Sequence, residues 1–299
     1  TSDYSWEMFE NHQINSSNSI INTAWRSLYT LNSTINTVDE YVDDKYSTYI
    51  VPLRALLYYH LTSLWGNVPY FTHVIDPSEA SEISRTSTFD IYSSLQKQLE
   101  RCIVKHPLEN DGVYFNVSKN VPRALLAKIL MEQNKHSEAL VLLEEIISSK
   151  MYVLNNSRDE ALSSSSTEMI YAIDTDMFPT TNFSNIIETN RYLPLVQYSE
   201  VVLMAAECSN KTGNKSKAID YLNQIRSKDG LSSASHSTFN DDLKETWKNR
   251  MKGGFSYFQF LKRNNLATVE LDIQDYQKLM PIPWSEINSA SNMTQNPGY

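Results

Sequence analysis

Residues 195–227 read LVQYSEVVLMAAECSNKTGNKSKAIDYLNQIRS, and this stretch decides the fold class. It predicts two helices, Leu195 to Lys211 and Asn214 to Ser227, broken at Gly213. Ala206 and Ala218 stand twelve positions apart, one on each helix, where a close crossing demands small side chains. That spacing is the mark of a tetratricopeptide helical hairpin. Ala205, Leu222 and Ile225 fall on its remaining apolar positions. The same spacing recurs at Ala127 and Ala139, on predicted helices Val121 to Gln133 and His136 to Ser149 joined at Asn134-Lys135. There Leu126, Leu130, Leu143 and Ile146 complete the apolar face. The two units lie 79 positions apart, so they are not tandem and other segments lie between them.

Working outward, Ile20, Ala24, Leu28, Leu31 and Ile35 mark an amphipathic helix over about 18–36. The polar stretch from Asn36 to Thr48, dense in Asp and Tyr, reads as a loop. A helix from Ile50 to Trp65 carries Leu53, Leu56, Leu57, Leu61 and Leu64, and is stopped by Gly66-Asn67 and Pro69. Residues 70–86 read as loop. Ser87 or Thr88 then caps a helix carrying Ile91, Leu95, Leu99 and Cys102. Residues 155–192, rich in Ser, Thr and Asn, read as a long irregular insert, and 230–237 as a second loop. A last helix covers Phe239 to Lys252 and ends at Gly253-Gly254. The tail beyond Leu271, with Pro281, Pro283 and Pro297, cannot be helical throughout. The expectation is one all-α domain spanning 1–299, with tetratricopeptide-like hairpins over about 121–149 and 195–227 and long irregular loops.

Composition narrows the function classes. Only 7 of 299 residues are glycine, which argues against a Rossmann domain, a P-loop and most β-barrels. The 26 Lys+Arg against 35 Asp+Glu give a net charge of −9, the wrong sign for a nucleic-acid partner. Apolar runs such as Val201 to Ala206 fall far short of the roughly 20 residues a spanning helix needs. The start, Thr1 to Trp6, has no basic or apolar signal features, so any export signal is expected to have been removed. Two cysteines exclude a disulfide scaffold and a cysteine zinc site, and Cys102 and Cys208 read as buried thiols on apolar helix faces.

The six histidines form neither HxH nor HExxH, and no GxSxG or Cys-His nucleophile pattern is present. No catalytic residue, metal ligand or cofactor is therefore assigned. His60 reads as a structural helix-face histidine. Of the acidic pairs, Glu144-Glu145 reads as a wet helix face and Asp241-Asp242 as a helix start. Asp43-Asp44 alone stands among aromatics, and a sugar or calcium contact there competes with a plain solvated loop. The 18 Tyr, 10 Phe and 5 Trp exceed what a helical bundle needs, so aromatics in irregular segments are the binding candidates. These are Tyr41, Tyr46 and Tyr49 with Asp43, then Tyr70 and Phe71, then Phe178 and Phe183. Trp65 and Trp247 read as core; Trp284 is open to either role.

Four segments together resemble the SusD/RagB family. They are LRALLYYHLTSLWGNVPYF at 53–71, SRTSTFDIYSSLQKQL at 84–99, the stretch 192–230, and LMPIPWSEINSASNMTQNPGY at 279–299. The LPIP-type motif followed by QNPGY, behind the Ala-Glu and Asn-x-Ile-Arg helices, is specific. One helix departs from the family pattern. In LKETWKNRMKGGFSYFQFLKR at 243–263 the family's Glu-Gly pair is Gly253-Gly254, and of its later charges only Arg263 keeps its place. The resemblance implies a short family member: a surface-exposed, lipid-anchored outer-membrane protein whose anchor is absent from this chain. It implies capture of a nutrient, an oligosaccharide first, for a SusC-like TonB-dependent transporter, with no bond broken. The alternative is a peptide- or protein-binding helical-repeat module whose main partner is the transporter. Family binding residues do not sit in these motifs, so none is carried over. Glu207 is expected to pair with a base such as Arg226, and Pro281 and Pro283 to lay the tail along the helical body.

Overall fold

The computed structural model describes residues 2–42, 44–106, 117–174, 192–252 and 254–299. The described chain is mostly helical, with one two-stranded sheet, and no described helix is long and apolar enough to cross a membrane. It divides into two compact units: 1–98 with 261–299, and 99–260.

The first unit starts with α1 (Ser2–Glu10), α2 (Ser19–Tyr41), α3 (Asp44–Trp65) and α4 (Pro77–Ser81), followed by the first part of α5 (Thr88–Lys105). Asn18 caps α2 by accepting from the amides of Ile20 at 3.0 Å and Ile21 at 3.3 Å. Ser87 accepts from the Asp90 amide at 3.1 Å at the head of α5. Trp25 of α2 and Trp65 of α3, both buried, meet edge to face at 5.2 Å. The expected loop over 36–48 is corrected here, because α2 runs on to Tyr41 and α3 already begins at Asp44. The apolar period stops at Ile35 for a physical reason. The next inward positions of α2 are polar, with Asn36 fully buried and Asp39 paired to the buried Arg54 at 2.7 Å. The helix continues while its hydrophobic signature does not. Within the expected 70–86 loop, Asp76 accepts from Ser78 and Glu79 amides at 2.8 and 2.9 Å and starts the short α4.

The second unit holds the rest of α5, then α6 (Asn120–Glu132), α7 (His136–Ser148), α8 (Arg158–Leu162), β1 (Met169–Asp174) and β2 (Tyr192–Gln197). It continues through α9 (Tyr198–Lys211), α10 (Lys215–Lys228), α11 (Phe239–Arg250) and most of α12 (Phe255–Arg263). The helical hairpins α6–α7 and α9–α10 form as predicted, and Ala127, Ala139, Ala206 and Ala218 are all fully buried. Their turns are built alike. The Lys135 amide reaches back to Leu130 O and the Asn214 amide to Ser209 O, each at 2.9 Å. The residue before it is left-handed in both: Asn134 at φ +59° and Gly213 at φ +86°. α7 packs on α9, so the two hairpins are neighbours despite their separation in sequence. A buried ion pair, Lys128 to Glu200, joins α6 to α9.

Three expectations in this unit are corrected. The irregular insert contains α8 and an antiparallel β1–β2 pair, with residues 175–191 outside the described residues. Leu195 to Gln197, expected to open a helix, end β2 instead. α9 starts at Tyr198 because the wholly buried Glu168, far upstream, supplies its cap. Its backbone carbonyl accepts from the Tyr198 amide at 2.8 Å and its carboxylate from the Ser199 amide at 2.9 Å. Arg250 completes that carboxylate's surroundings at 3.3 Å and also pairs with Asp229 at 2.6 Å. Finally, α11 is not the last helix, since α12 follows it; an aromatic run, Phe255 to Phe260, masks its apolar period. Arg226 is buried and takes Asp242 at 3.1 Å and Glu245 at 2.7 Å from α11 as carboxylate partners. Cys102 and Cys208 are buried, and burial pushes the Cys102 thiol up to about 11.

The chain then returns to the first unit through α13 (Ala267–Glu270), a 3-10 turn at Asp275–Lys278, and α14 (Trp284–Ser289). The tail is stitched to the end of α3. Trp65 donates its indole N–H to Pro281 O at 3.0 Å, and the Met280 amide donates to Leu64 O at 2.6 Å. The Asn296 amide group donates to Trp65 O at 3.0 Å and Met280 O at 2.7 Å. Arg85 donates to Asn67 O, Trp65 O, Thr294 O and the Asn296 side-chain oxygen. Gln295 accepts from the Ile282 amide at 2.7 Å and donates to its carbonyl at 2.9 Å. Gly298, at φ +96°, fits only because it lacks a Cβ, which would overlap the Tyr276 ring. Gly298→Ala is therefore expected to lower unfolding stability by about 3 kcal/mol, combining left-handed strain and overlap. Gly213→Ala, at φ +86° with open space around it, should lose only about 1 kcal/mol. Urea unfolding of both variants checks this, and equal losses would contradict the tail geometry.

Candidate functional site

The chain leaves α3 through Gly66, at φ +72°, and returns at Thr86, where Val68 and Thr86 exchange backbone bonds of 3.3 and 2.9 Å. Between these points the chain from Pro69 to Val74 runs along one stripe of α2. Tyr29 OH donates to Pro69 O at 2.8 Å. Asn32 donates to Phe71 O at 3.3 Å, and Asn36 to Phe71 O at 3.3 Å and His73 O at 2.8 Å. Glu40 accepts from the Val74 amide at 3.1 Å. Positions 29, 32, 36 and 40 share a helix face, so the segment is clamped turn by turn. α3 adds Tyr58, whose hydroxyl donates to Phe71 O and accepts from the Phe71 amide, each at 3.2 Å. Burial holds the Tyr58 hydroxyl well above the usual tyrosine range, so it stays a donor at any physiological pH. Arg54 fixes Asn36 from behind, donating to its side-chain oxygen at 3.1 Å.

This clamp sets two rings. Phe71 stacks on Tyr29 at 5.9 Å and 27°, and Tyr29 lies against Trp25 at 4.8 Å. Tyr70 turns the other way and meets Tyr58 edge-on at 4.7 Å. Its hydroxyl bonds Ser94 at 3.0 Å and accepts from Gln98 at 3.0 Å, and Gln98 also donates to Ser94 at 3.2 Å. Both rings are half-buried. A half-exposed ring whose plane is fixed from beneath suits the flat C–H face of a sugar. The Tyr70–Ser94–Gln98 cluster offers hydroxyls and an amide beside it.

The other predicted site residues fall elsewhere. Tyr41 is 85% exposed at the end of α2, next to Glu40. It lies twelve residues, about 18 Å of helix rise, from the Tyr29 that carries Phe71. Tyr49 is exposed on α3, a different helix, so these tyrosines are not a loop cluster. Asp43, Phe178, Phe183 and the side chain of Tyr46 lie outside the described residues. Trp65 and Trp247 are core, and Trp284 is 61% exposed. The sequence reading missed Tyr29, Asn32, Asn36, Tyr58, Ser94 and Gln98. The four-residue spacings of Asn32/Asn36 and Ser94/Gln98 were the available signal.

Residues 2–173 match the family described as starch-binding and associating with the outer membrane, and residues 143–253 match the SusD family. The chain belongs to the SusD-like family. A curated relative, SusD-like protein P25 of Formosa agariphila, is 30% identical over 106 residues, covering 34% of this chain and 20% of its own. The matched stretch thus spans a fifth of that relative. Among solved structures, surface glycan-binding protein A of Bacteroides thetaiotaomicron in complex with laminarihexaose superposes with a TM-score of 0.80 at 20% identity. The superposition covers 99% of this chain and 89% of that one. A laminarin-binding SusD-like protein gives 0.80 at 18% identity, covering 98% and 88%. At these identities the likeness establishes the shared fold.

Asn36→Ala removes the bonds from Asn36 to the Phe71 and His73 carbonyls and one of the two acceptors of Arg54, which keeps Asp39. The expected loss is about 2–3 kcal/mol of stability, from the bonds and the unsatisfied groups left behind. Hydrogen exchange at the Phe71 amide should speed up more than at amides of α9. Unchanged Phe71 exchange would mean that the clamp does not hold the segment.

Proposed function

We propose that this SusD-like protein is a cell-surface, lipid-anchored outer-membrane protein that captures an oligosaccharide at Tyr70 and Phe71. It passes the sugar to a SusC-like TonB-dependent transporter and breaks no bond. The observation that carries this reading is the Phe71 ring, stacked on Tyr29 with its backbone held by Asn32, Asn36 and Tyr58. Such a ring needs no reordering to meet a ligand, and that preorganisation favours binding. Family membership and the laminarihexaose-bound structural relative support a glycan as the ligand class.

The burial of two hairpin helices favours the glycan reading over the peptide-binding alternative. Helical-repeat proteins offer peptides the faces of their inner helices. Here α6 is buried from Asn120 to Met131 apart from Arg123, and α9 from Tyr198 to Ser209, so these two helices offer a peptide little open surface.

Calorimetric titration with laminari- and malto-oligosaccharides tests the proposal on the wild type and on Phe71→Ala and Tyr41→Ala. Binding that weakens about tenfold or more in Phe71→Ala and is unchanged in Tyr41→Ala is the expected result. Full affinity in a folded Phe71→Ala protein moves the site elsewhere. No heat with any sugar removes the glycan reading.

A further inference from the structure

We infer that the tail, residues 279–299, is a positioning element of the sugar platform, so that sugar affinity depends on side chains that never touch the sugar; this rests on the site proposed above. A continuous run of packed rings leads from one to the other. Phe71 stacks on Tyr29 at 5.9 Å, Tyr29 lies against Trp25 at 4.8 Å, and Trp25 meets Trp65 edge to face at 5.2 Å. Trp65, wholly buried, donates its indole N–H to Pro281 O of the tail at 3.0 Å. A second route runs through the backbone. Arg85 donates to Trp65 O and Asn67 O on the approach to Phe71, and to Thr294 O and the Asn296 side chain in the tail. Leu279 lies against Gly66, where an added Cβ would come within 3.0 Å of its Cδ1.

The tail is built to open without the long helices melting. Its one helix, α14, buries no residue. Much of its docking rests on single side chains. Asn296 donates to Trp65 O and Met280 O, and Tyr299 sets its ring against Tyr276 at 5.1 Å and its hydroxyl on Leu279 O at 2.9 Å. Irregular chain held this way opens as a local unit, at less cost than global unfolding. On opening, the Trp65 indole loses its acceptor. A buried N–H without a partner is unfavourable, so the ring turns to find one. Trp25 then loses its edge contact, and in a close-packed interior that shift passes to Tyr29 and Phe71. Such coupling is reciprocal. If the docked tail strengthens sugar binding, bound sugar holds the tail down by the same factor.

The probe is laminarihexaose or maltohexaose, whichever binds more tightly, with calorimetry for affinity and hydrogen exchange for the tail. The amides of Met280, bonded to Leu64 O, and Ile282, bonded to the Gln295 side chain, report docking. In the wild type, saturating sugar should slow their exchange at least about fivefold, and change α1 and α10 amides less than about twofold. Asn296→Ala should weaken sugar binding at least about fivefold, and Tyr299→Phe, which removes the bond to Leu279 O, about twofold. Gly213→Ala loosens a turn in the other unit and should leave affinity within about twofold, which separates positioning from general stability. If Asn296→Ala does not fold, Tyr299→Phe and the wild-type exchange decide. Unchanged exchange at Met280 and Ile282, or full affinity in the folded tail variants, overturns the inference, while loss of binding in Phe71→Ala leaves the site in place. No binding of either sugar by the wild type overturns the site and the inference together.

Discussion

Backbone groups that leave regular structure yet stay inside the protein must find donors or acceptors, and in the first unit this constraint routes the chain. The carbonyls of Trp65, Phe71 and His73 lie outside any helical bond. Asn296 and Arg85 satisfy the first, Asn32, Asn36 and Tyr58 the second, and Asn36 the third. Each donor is a side chain from a distant segment, so satisfying the carbonyls also fixes where α2, the 69–74 segment and the tail lie. The family-like motifs WGN, SRT, MPIP and QN converge on this one task. Their specificity as a sequence signature and their place in the fold have the same cause.

The ring platform is a by-product of the same constraint. Phe71 is oriented because its own amide and carbonyl are held, with Tyr29 and Trp25 layered beneath. Tyr70 is oriented because Tyr58, which serves Phe71, also offers it an edge. The helical hairpins of the second unit are closed on themselves: α6 and α9 are buried almost throughout and joined by Lys128 and Glu200. The half-buried rings of Tyr70 and Phe71 therefore sit on irregular chain held by helices, the usual division of labour between scaffold and loop.

How legible this was in the sequence follows from how local each signal is. The hairpins were readable because Ala127/Ala139 and Ala206/Ala218 carry their own spacing, and left-handed Asn134 and Gly213 end the helices where the period ends. The end of α2 was hidden because its inward positions change from Ile35 to Asn36 and Asp39, which serve another segment's carbonyls and a buried arginine. The start of α9 was hidden because its cap, Glu168, is 31 residues upstream. Tyr70 and Phe71 could be named from their place after a helix stop. The groups that position them could not, since Asn32, Asn36 and Tyr58 act across long stretches of chain and look like ordinary helix residues.

The stitching of the tail also bears on when the protein can assemble. The 99–260 unit is one continuous stretch, but the unit that carries Phe71 is made from both ends of it. Trp65 O takes its bond from Asn296, 231 residues later. At ribosomal speeds of about 5–20 residues per second, roughly 12–46 s separate the making of those two partners. Through that interval the indole of Trp65 and the guanidinium of Arg85 have no tail to bind. The unit that carries Tyr70 and Phe71, although largely encoded first, is the one that closes last.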